Sequence, residues 1–374
     1  MPQYLDYNAT SPVLPEVAEV VHKMMVEEFG NPGSRTHEFG AHAKRVVEKA
    51  RASVAELVDA KKAEVIFTSG ATESNNIAIL GLAKYADEVG KKHIITSAIE
   101  HKAVLEPCEY LETKGFEVTY LTPGVSGLID PQELESALRD DTLLVSLMHI
   151  NNETGCIQPI EHFCELLSFH EAFFHVDAAQ SFGKMNAGLE NHRIDMISIS
   201  GHKIYAPKGI GALVTRRRDG LKLPLAPIMF GGGQESGLRP GTLAAPLIAG
   251  LGMACQKAKS ESFSWKQHAQ ELKQQMLDFV GQVGGEVIGD NTSPYVINFA
   301  IPGVNSEAAM LMLKEVVAVS NGSACTSNSY EPSHVLTAMG LDADRVSGSI
   351  RVSWSHLTKE IPVEKMKDKL SVLL

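Results

Sequence analysis

The chain has 374 residues and a net charge of −11, from 45 acidic and 34 basic side chains. A hydrophobic fraction of 44% leaves material for two domains, while the acidic balance disfavours direct nucleic-acid binding, which usually needs a basic face. Five cysteines (Cys108, Cys156, Cys164, Cys255 and Cys325) are odd in number, widely spaced and lack a Cys-x-x-Cys pair, which argues against a disulfide framework or a metal site and suits reduced thiols in the cytoplasm.

In chain order, residues 1–6 carry no basic and apolar signal of the secretory type. From residue 64 onward, short apolar runs alternate with longer amphipathic ones. Residues 64–68 predict a strand and 73–86 a helix. Further strands are expected at 93–97, 117–121, 143–149, 173–177, 196–200 and 211–215, with helices at 103–114, 132–137 and 160–169 between them. Alternation of this kind predicts an α/β fold with a mostly parallel central sheet flanked by helices. Arg216-Arg217-Arg218 then reads as a solvated strand end. Pro224, Pro227, Gly231-Gly232-Gly233 and Pro240-Gly241 mark a long loop region. A long helix is expected over 244–283, followed by a second α+β segment. Its apolar run 243–255 is broken by Pro246 and two glycines and is too short to span a membrane. The expected division is a large domain over 14–245 and a smaller α+β domain made of 1–13 and 246–374.

Open α/β sheets bind ligands outside the carboxyl ends of their strands. Five predicted strands deliver polar groups there: Thr72, His101, Asn152, Asp177 and Lys203. Thr72 lies in Ser69-Gly70-Ala71-Thr72-Glu73-Ser74-Asn75, which suits a phosphate at a helix N-terminus and equally an ordinary helix cap. It lacks the Gly-Lys-Ser/Thr ending of a Walker loop. The set as a whole matches pyridoxal 5'-phosphate chemistry. Lys203 would hold the cofactor as a Schiff base, and Asp177 would keep the pyridine nitrogen protonated. His101 would stack on the ring and move protons, and Thr72, Ser200 and His202 would bind the phosphate. Two other patterns fail. His170 and His175 are five apart and would not share a helix face as zinc ligands, and Gly209-Ile210-Gly211 lacks the third glycine of a dinucleotide loop.

The motifs Asp6-Tyr7-Asn8-Ala9-Thr10, Phe29-Gly30-Asn31-Pro32-Gly33-Ser34, Thr68-Ser69-Gly70-Ala71-Thr72-Glu73, His175-Val176-Asp177-Ala178-Ala179-Gln180 and Ser200-Gly201-His202-Lys203 closely resemble the cysteine desulfurases. These form part of the class V branch of fold-type I pyridoxal phosphate enzymes, and the resemblance runs from residue 4 to residue 356. Cys325 lies among small residues, Ser320-Asn321-Gly322-Ser323-Ala324-Cys325-Thr326-Ser327, with no large apolar neighbour within four positions. That composition reads as a loop with an accessible thiol, able to act as a nucleophile once deprotonated. The segment resembles the group I desulfurases. Arg351, in the strand-like Ser349-Ile350-Arg351-Val352-Ser353, has the fork that grips a carboxylate.

The resemblance implies conversion of L-cysteine to L-alanine. Lys203 moves the α-proton, and Cys325 takes the sulfur as a persulfide for a sulfur-acceptor protein. His101 manages protons on sulfur, Gln180 bonds the cofactor's phenolic oxygen, and Arg351 with Asn152 holds the substrate carboxylate. Arg239-Pro240-Gly241-Thr242 resembles the segment that reaches the neighbouring subunit's phosphate, which implies a homodimer with Thr242 as a cofactor ligand. Phe230 and Ser236 depart from the histidine and arginine of the common pattern, and the chain continues only 23 residues past Arg351. The short tail favours sulfur supply for DNA phosphorothioate modification over iron–sulfur assembly or tRNA thiolation. A selenocysteine lyase or a transaminase would use the same scaffold. A non-enzymatic scaffold is at odds with the intact set Asp177, Lys203, Cys325 and Arg351.

Overall fold

A computed structural model describes residues 1–321 and 332–374. The chain opens with β1 (Gln3–Tyr4). The central sheet contains β2 (Val65–Thr68), β3 (His93–Ser97), β4 (Glu117–Leu121), β5 (Thr142–Met148), β6 (Phe173–Asp177), β7 (Met196–Ser200) and β8 (Gly211–Thr215). A three-stranded sheet follows from β9 (Glu286–Val287) and β10 (Val296–Ala300), and after β11 (Val317–Ala318) it is completed by β12 (Ser349–Ser353).

The central sheet has the order β2-β8-β7-β6-β5-β3-β4. The neighbours from β7 through to β4 are all parallel, whereas β8 runs antiparallel to both β7 and β2. Every residue of β3, β5, β6 and β7 is buried. A strand covered on both faces reads as a continuous apolar run, which is why these limits were legible in the sequence. Five of the seven expected strands coincide with the observed ones, β2 starts one residue later than expected, and β5 is shifted by one residue. The helix expected over 73–86 is two helices, Ala71–Leu80 and Ala83–Val89. The break falls at Gly81, whose carbonyl accepts from the Ala226 N–H (2.8 Å) and so ties this helix pair to the long loop region.

Helices cover both faces of the sheet. On one face, Val17, Val47 and Leu251 pack with Ile197, Ile199 and Val214. On the other, Ile77, Ile79, Val104 and Leu111 pack with Ile94, Leu144 and Met196. A separate core joins Phe279, Phe299, Ile350 and Trp354 and includes Leu5 from the start of the chain. Leu5 reaches it because β1 pairs in parallel with β11. Helix Ala245–Gln282 serves both bodies. Its residues up to Trp265 belong to the first core, and those from Ala269 belong to the separate one. The expected division at 245 falls at the start of this helix, whereas the apolar packing changes over some twenty residues later, inside it. Among the described residues, no helix is long and apolar enough to cross a membrane.

Candidate active site

Parallel strands carry their carboxyl ends to one edge of the sheet. A cavity of about 580 Å³ opens there, between that edge and β12. Thr72, His101, Asn152, Asp177, Gln180, Ser200, His202, Lys203 and Arg351 all line it. Thr242 does not, and is exposed on the surface. Cys325 lies outside the described residues.

Lys203 ends a single 3-10 turn, Gly201–Lys203, that leaves β7 directly. The turn is tight. A Cβ at Gly201 would meet the Ile210 carbonyl oxygen at 2.9 Å, so the residue before His202 has no room for a side chain. The Lys203 Nζ donates to the Ala9 carbonyl (2.9 Å) and to the Asn8 carbonyl. The N-terminal motif thus serves as the wall that holds this lysine. His202 meets Thr10 through Nδ1 (3.0 Å). Burial, with the charges of Lys203 and Lys208, pushes its pKa down to about 4, so its ring is neutral at physiological pH.

Asp177 closes β6. Its Oδ2 accepts from the Asn75 amide (2.7 Å) and its Oδ1 from the Ala179 N–H (2.9 Å), which fixes the carboxylate plane. Asn75 is a site residue that the sequence reading passed over. It stands three positions after Thr72 on helix Ala71–Leu80, a spacing that puts both on one face, so helical periodicity alone could have found it. His101 caps helix Lys102–Glu112, with Nδ1 accepting the Ala103 N–H (3.0 Å). Its ring borders the open cavity, yet desolvation by the surrounding walls holds its pKa below the ordinary imidazole value.

Glu100, one residue earlier, is fully buried. It accepts from Ser97 Oγ (2.6 Å) and the Met148 N–H (3.0 Å). Burial pushes its carboxyl up to about 8, and the charge of Asp177 adds to the effect.

Arg351 is buried at the centre of β12. Its Nη1 donates to the Asn152 carbonyl (3.0 Å), and its Nη2 pairs with the Asp6 carboxylate (2.8 Å) and reaches Ser320 Oγ (3.4 Å). Arg351 and Asn152 are therefore brought together as expected, but Asp6 occupies one arm of the guanidinium. On the same side, Glu153 accepts from Ser333 Oγ (2.6 Å), and burial raises its carboxyl pKa.

Four cavity-lining residues each bury a polar atom that has no partner among the described residues: Asn75 Oδ1, Asn152 Oδ1, Gln180 Oε1 and Arg351 Nε. Buried polar groups are otherwise almost always hydrogen-bonded. Their concentration at one cavity fits a polar ligand. A lysine amine, a fixed carboxylate and a helix N-terminus with Ser69 and Thr72 fit a phosphorylated pyridine aldehyde in particular.

A sheet of this order with that donor set defines a pyridoxal phosphate enzyme of fold type I. The chain belongs to the class V aminotransferase family: the family model described as "Aminotransferase class-V" matches residues 3–366. It is similar to the cysteine desulfurase IscS of Vibrio vulnificus (strain CMCP6), with 47% identity over 98% of this chain and 94% of the relative. A solved NifS-like protein superimposes with a TM-score of 0.90 at 35% identity, covering 100% of this chain and 98% of that one. DndA from Streptomyces lividans superimposes with a TM-score of 0.83 at 52% identity, covering 94% of this chain and 99% of that one. The chain is accordingly an enzyme of the cysteine desulfurase group, and members of this family use pyridoxal phosphate.

Proposed function

We propose that this enzyme converts L-cysteine to L-alanine and carries the sulfur as a persulfide on Cys325 to an acceptor protein. The observation that carries the reading is the joining, in one cavity, of Lys203, Asp177 and Arg351 from two separately packed bodies. In that sense residues 14–245 act as the cofactor body, and 1–13 with 246–374 bring in the substrate arginine.

Bound pyridoxal phosphate supplies an electron sink next to the substrate's α-carbon. The protein supplies the rest. Asp177, held by Asn75 and the Ala179 N–H, presents a fixed negative charge to the ring nitrogen. Thr72, Ser200 and neutral His202 would hold the phosphate, and Gln180 would bond the phenolic oxygen. The Lys203 amine would take the α-proton of the substrate. Arg351 and Asn152 grip the substrate carboxylate. Thr242, exposed beside Arg239, reaches the partner subunit's phosphate in a homodimer.

For the acceptor, the reading we favour is the pathway of DNA phosphorothioate modification. It is supported by 52% identity to DndA against 47% to IscS. With a net charge of −11, the enzyme would hand sulfur to a protein and not to the DNA itself. The described cysteines are all unpaired, in keeping with the cytoplasm.

The test is direct. The purified protein is expected to be yellow and to release alanine from L-cysteine, and Lys203→Ala to lose both properties. Cys325→Ala is expected to keep the colour and lose sulfur transfer. Full turnover in Cys325→Ala would overturn the persulfide assignment. Loss of phosphorothioate from DNA in a strain lacking the gene, measured by mass spectrometry, tests the pathway, and unchanged DNA sinks it.

A further inference from the structure

Besides the neutral His202, two imidazoles, His101 and His334, line the cavity, and their hydrogen bonds leave them with opposite capacities. His101 Nδ1 accepts the Ala103 N–H, so its neutral ring carries hydrogen on Nε2. Protonating it would set one N–H against another and break the helix cap. Held in this way, His101 can stack and donate a hydrogen bond, but it offers no lone pair to an incoming proton.

His334 is the reverse case. Its Nε2 lies 2.9 Å from the Glu100 carbonyl oxygen. A carbonyl only accepts, so Nε2 carries the hydrogen and Nδ1 keeps the lone pair. No described group bonds Nδ1, and it is not sealed off as a buried atom. The position is also built to be rigid. Ser333 caps helix His334–Ala338, accepting from the Leu336 N–H (3.1 Å) while donating to Glu153 (2.6 Å). Val335 and Leu336 are fully buried behind it.

We propose that His334 Nδ1 is the base that takes the S–H proton of the substrate thiol. The inference rests on the desulfurase reading. In the step, the substrate S–H bond breaks and an Nδ1–H bond forms. The electron pair stays on sulfur, and nothing is oxidised or reduced. The imidazolium that results lies in the field of Glu153 from the loop after β5 and of His101 beyond the end of β3, while the buried Glu100 carboxyl next to it is held neutral. Lys102, Lys203, Lys208 and Arg351 are the cations that line the same cavity.

His334→Gln keeps an N–H for the Glu100 carbonyl and removes the base. Turnover in the variant then depends on thiolate already present in solution, about 3% at pH 7 and about 75% at pH 9 for an ordinary thiol. The kcat/KM of the variant relative to the wild type is therefore expected to rise roughly 25-fold between pH 7 and pH 9. A ratio that stays constant with pH overturns the proposal. Wild-type protein that releases no alanine from L-cysteine would instead sink the desulfurase reading beneath it. A second measurement needs neither turnover nor a variant. In the holoenzyme, nitrogen-15 NMR of His334 is expected to show Nδ1 gaining a proton with 3-mercaptopropionate, and no change with propionate. Equal behaviour with the two ligands overturns the assignment.

Discussion

Glu100 offers the sharpest test of the buried electrostatics behind the site. Its carboxyl titrates near 8 in the folded protein because burial penalises the charged form, against a reference value of 4.5. The folded state therefore binds a proton that the unfolded state has already released over the window between these two values. Stability falls as pH rises through that window, and the loss is complete once the pH passes 8. Each unit is worth about 1.4 kcal/mol, so between pH 5 and pH 8 this group removes about 4 kcal/mol. Glu100→Gln keeps the acceptor for Ser97 Oγ and the Met148 N–H and abolishes the titration. A chain of 374 residues unfolds with an entropy of about 0.8 kcal/mol/K, so 4 kcal/mol corresponds to about 5 °C in Tm. The variant's Tm relative to the wild type is thus expected to climb by about 5 °C from pH 5 to pH 8, read by differential scanning fluorimetry on the holoenzyme. A Tm difference that is flat across this range would refute the buried, neutral carboxyl.

Three further outcomes follow from the same geometry. Asn75→Ala removes one of the two bonds that fix Asp177, and is expected to weaken cofactor retention and lower stability by about 1–2 kcal/mol, measured by absorbance after dialysis and by Tm. Arg351→Lys replaces a fork that spans Asn152 and Asp6 with a point charge, and is expected to raise the KM for L-cysteine by about 10- to 100-fold with a smaller change in kcat. Ser333→Ala strips the buried Glu153 of its hydroxyl partner and removes a helix cap, for a loss of about 2 kcal/mol, or about 2–3 °C in Tm.

The central sheet was legible because its strands are buried on both faces, so that short apolar runs stand out between amphipathic helices. The break at Gly81 was not, because it is decided by the Ala226 N–H, some 145 residues away, and no local pattern carries such a partner. Nor was the place where the two cores change over. The apolar period of helix Ala245–Gln282 continues through it, and only the bodies packed against the helix change.

The site divides along the same line. Residues whose chemistry is specific to their type, such as Lys203, Asp177 and Arg351, could be named from sequence and stand at one cavity. Residues whose role depends on what they touch could not. Asn8 and Ala9 act through carbonyl oxygens, which every residue possesses, and Asp6 matters because Arg351 lies 2.8 Å away. The two histidines make the point most clearly. In sequence each is an imidazole with a pKa near neutrality, and His101 alone drew notice because it follows a strand. In the fold, one hydrogen bond apiece sets their tautomers, and those tautomers reverse the order of usefulness for a base. The Ala103 N–H occupies the lone pair that His101 would need, while the Glu100 carbonyl takes up the hydrogen of His334 and leaves its lone pair open to the cavity.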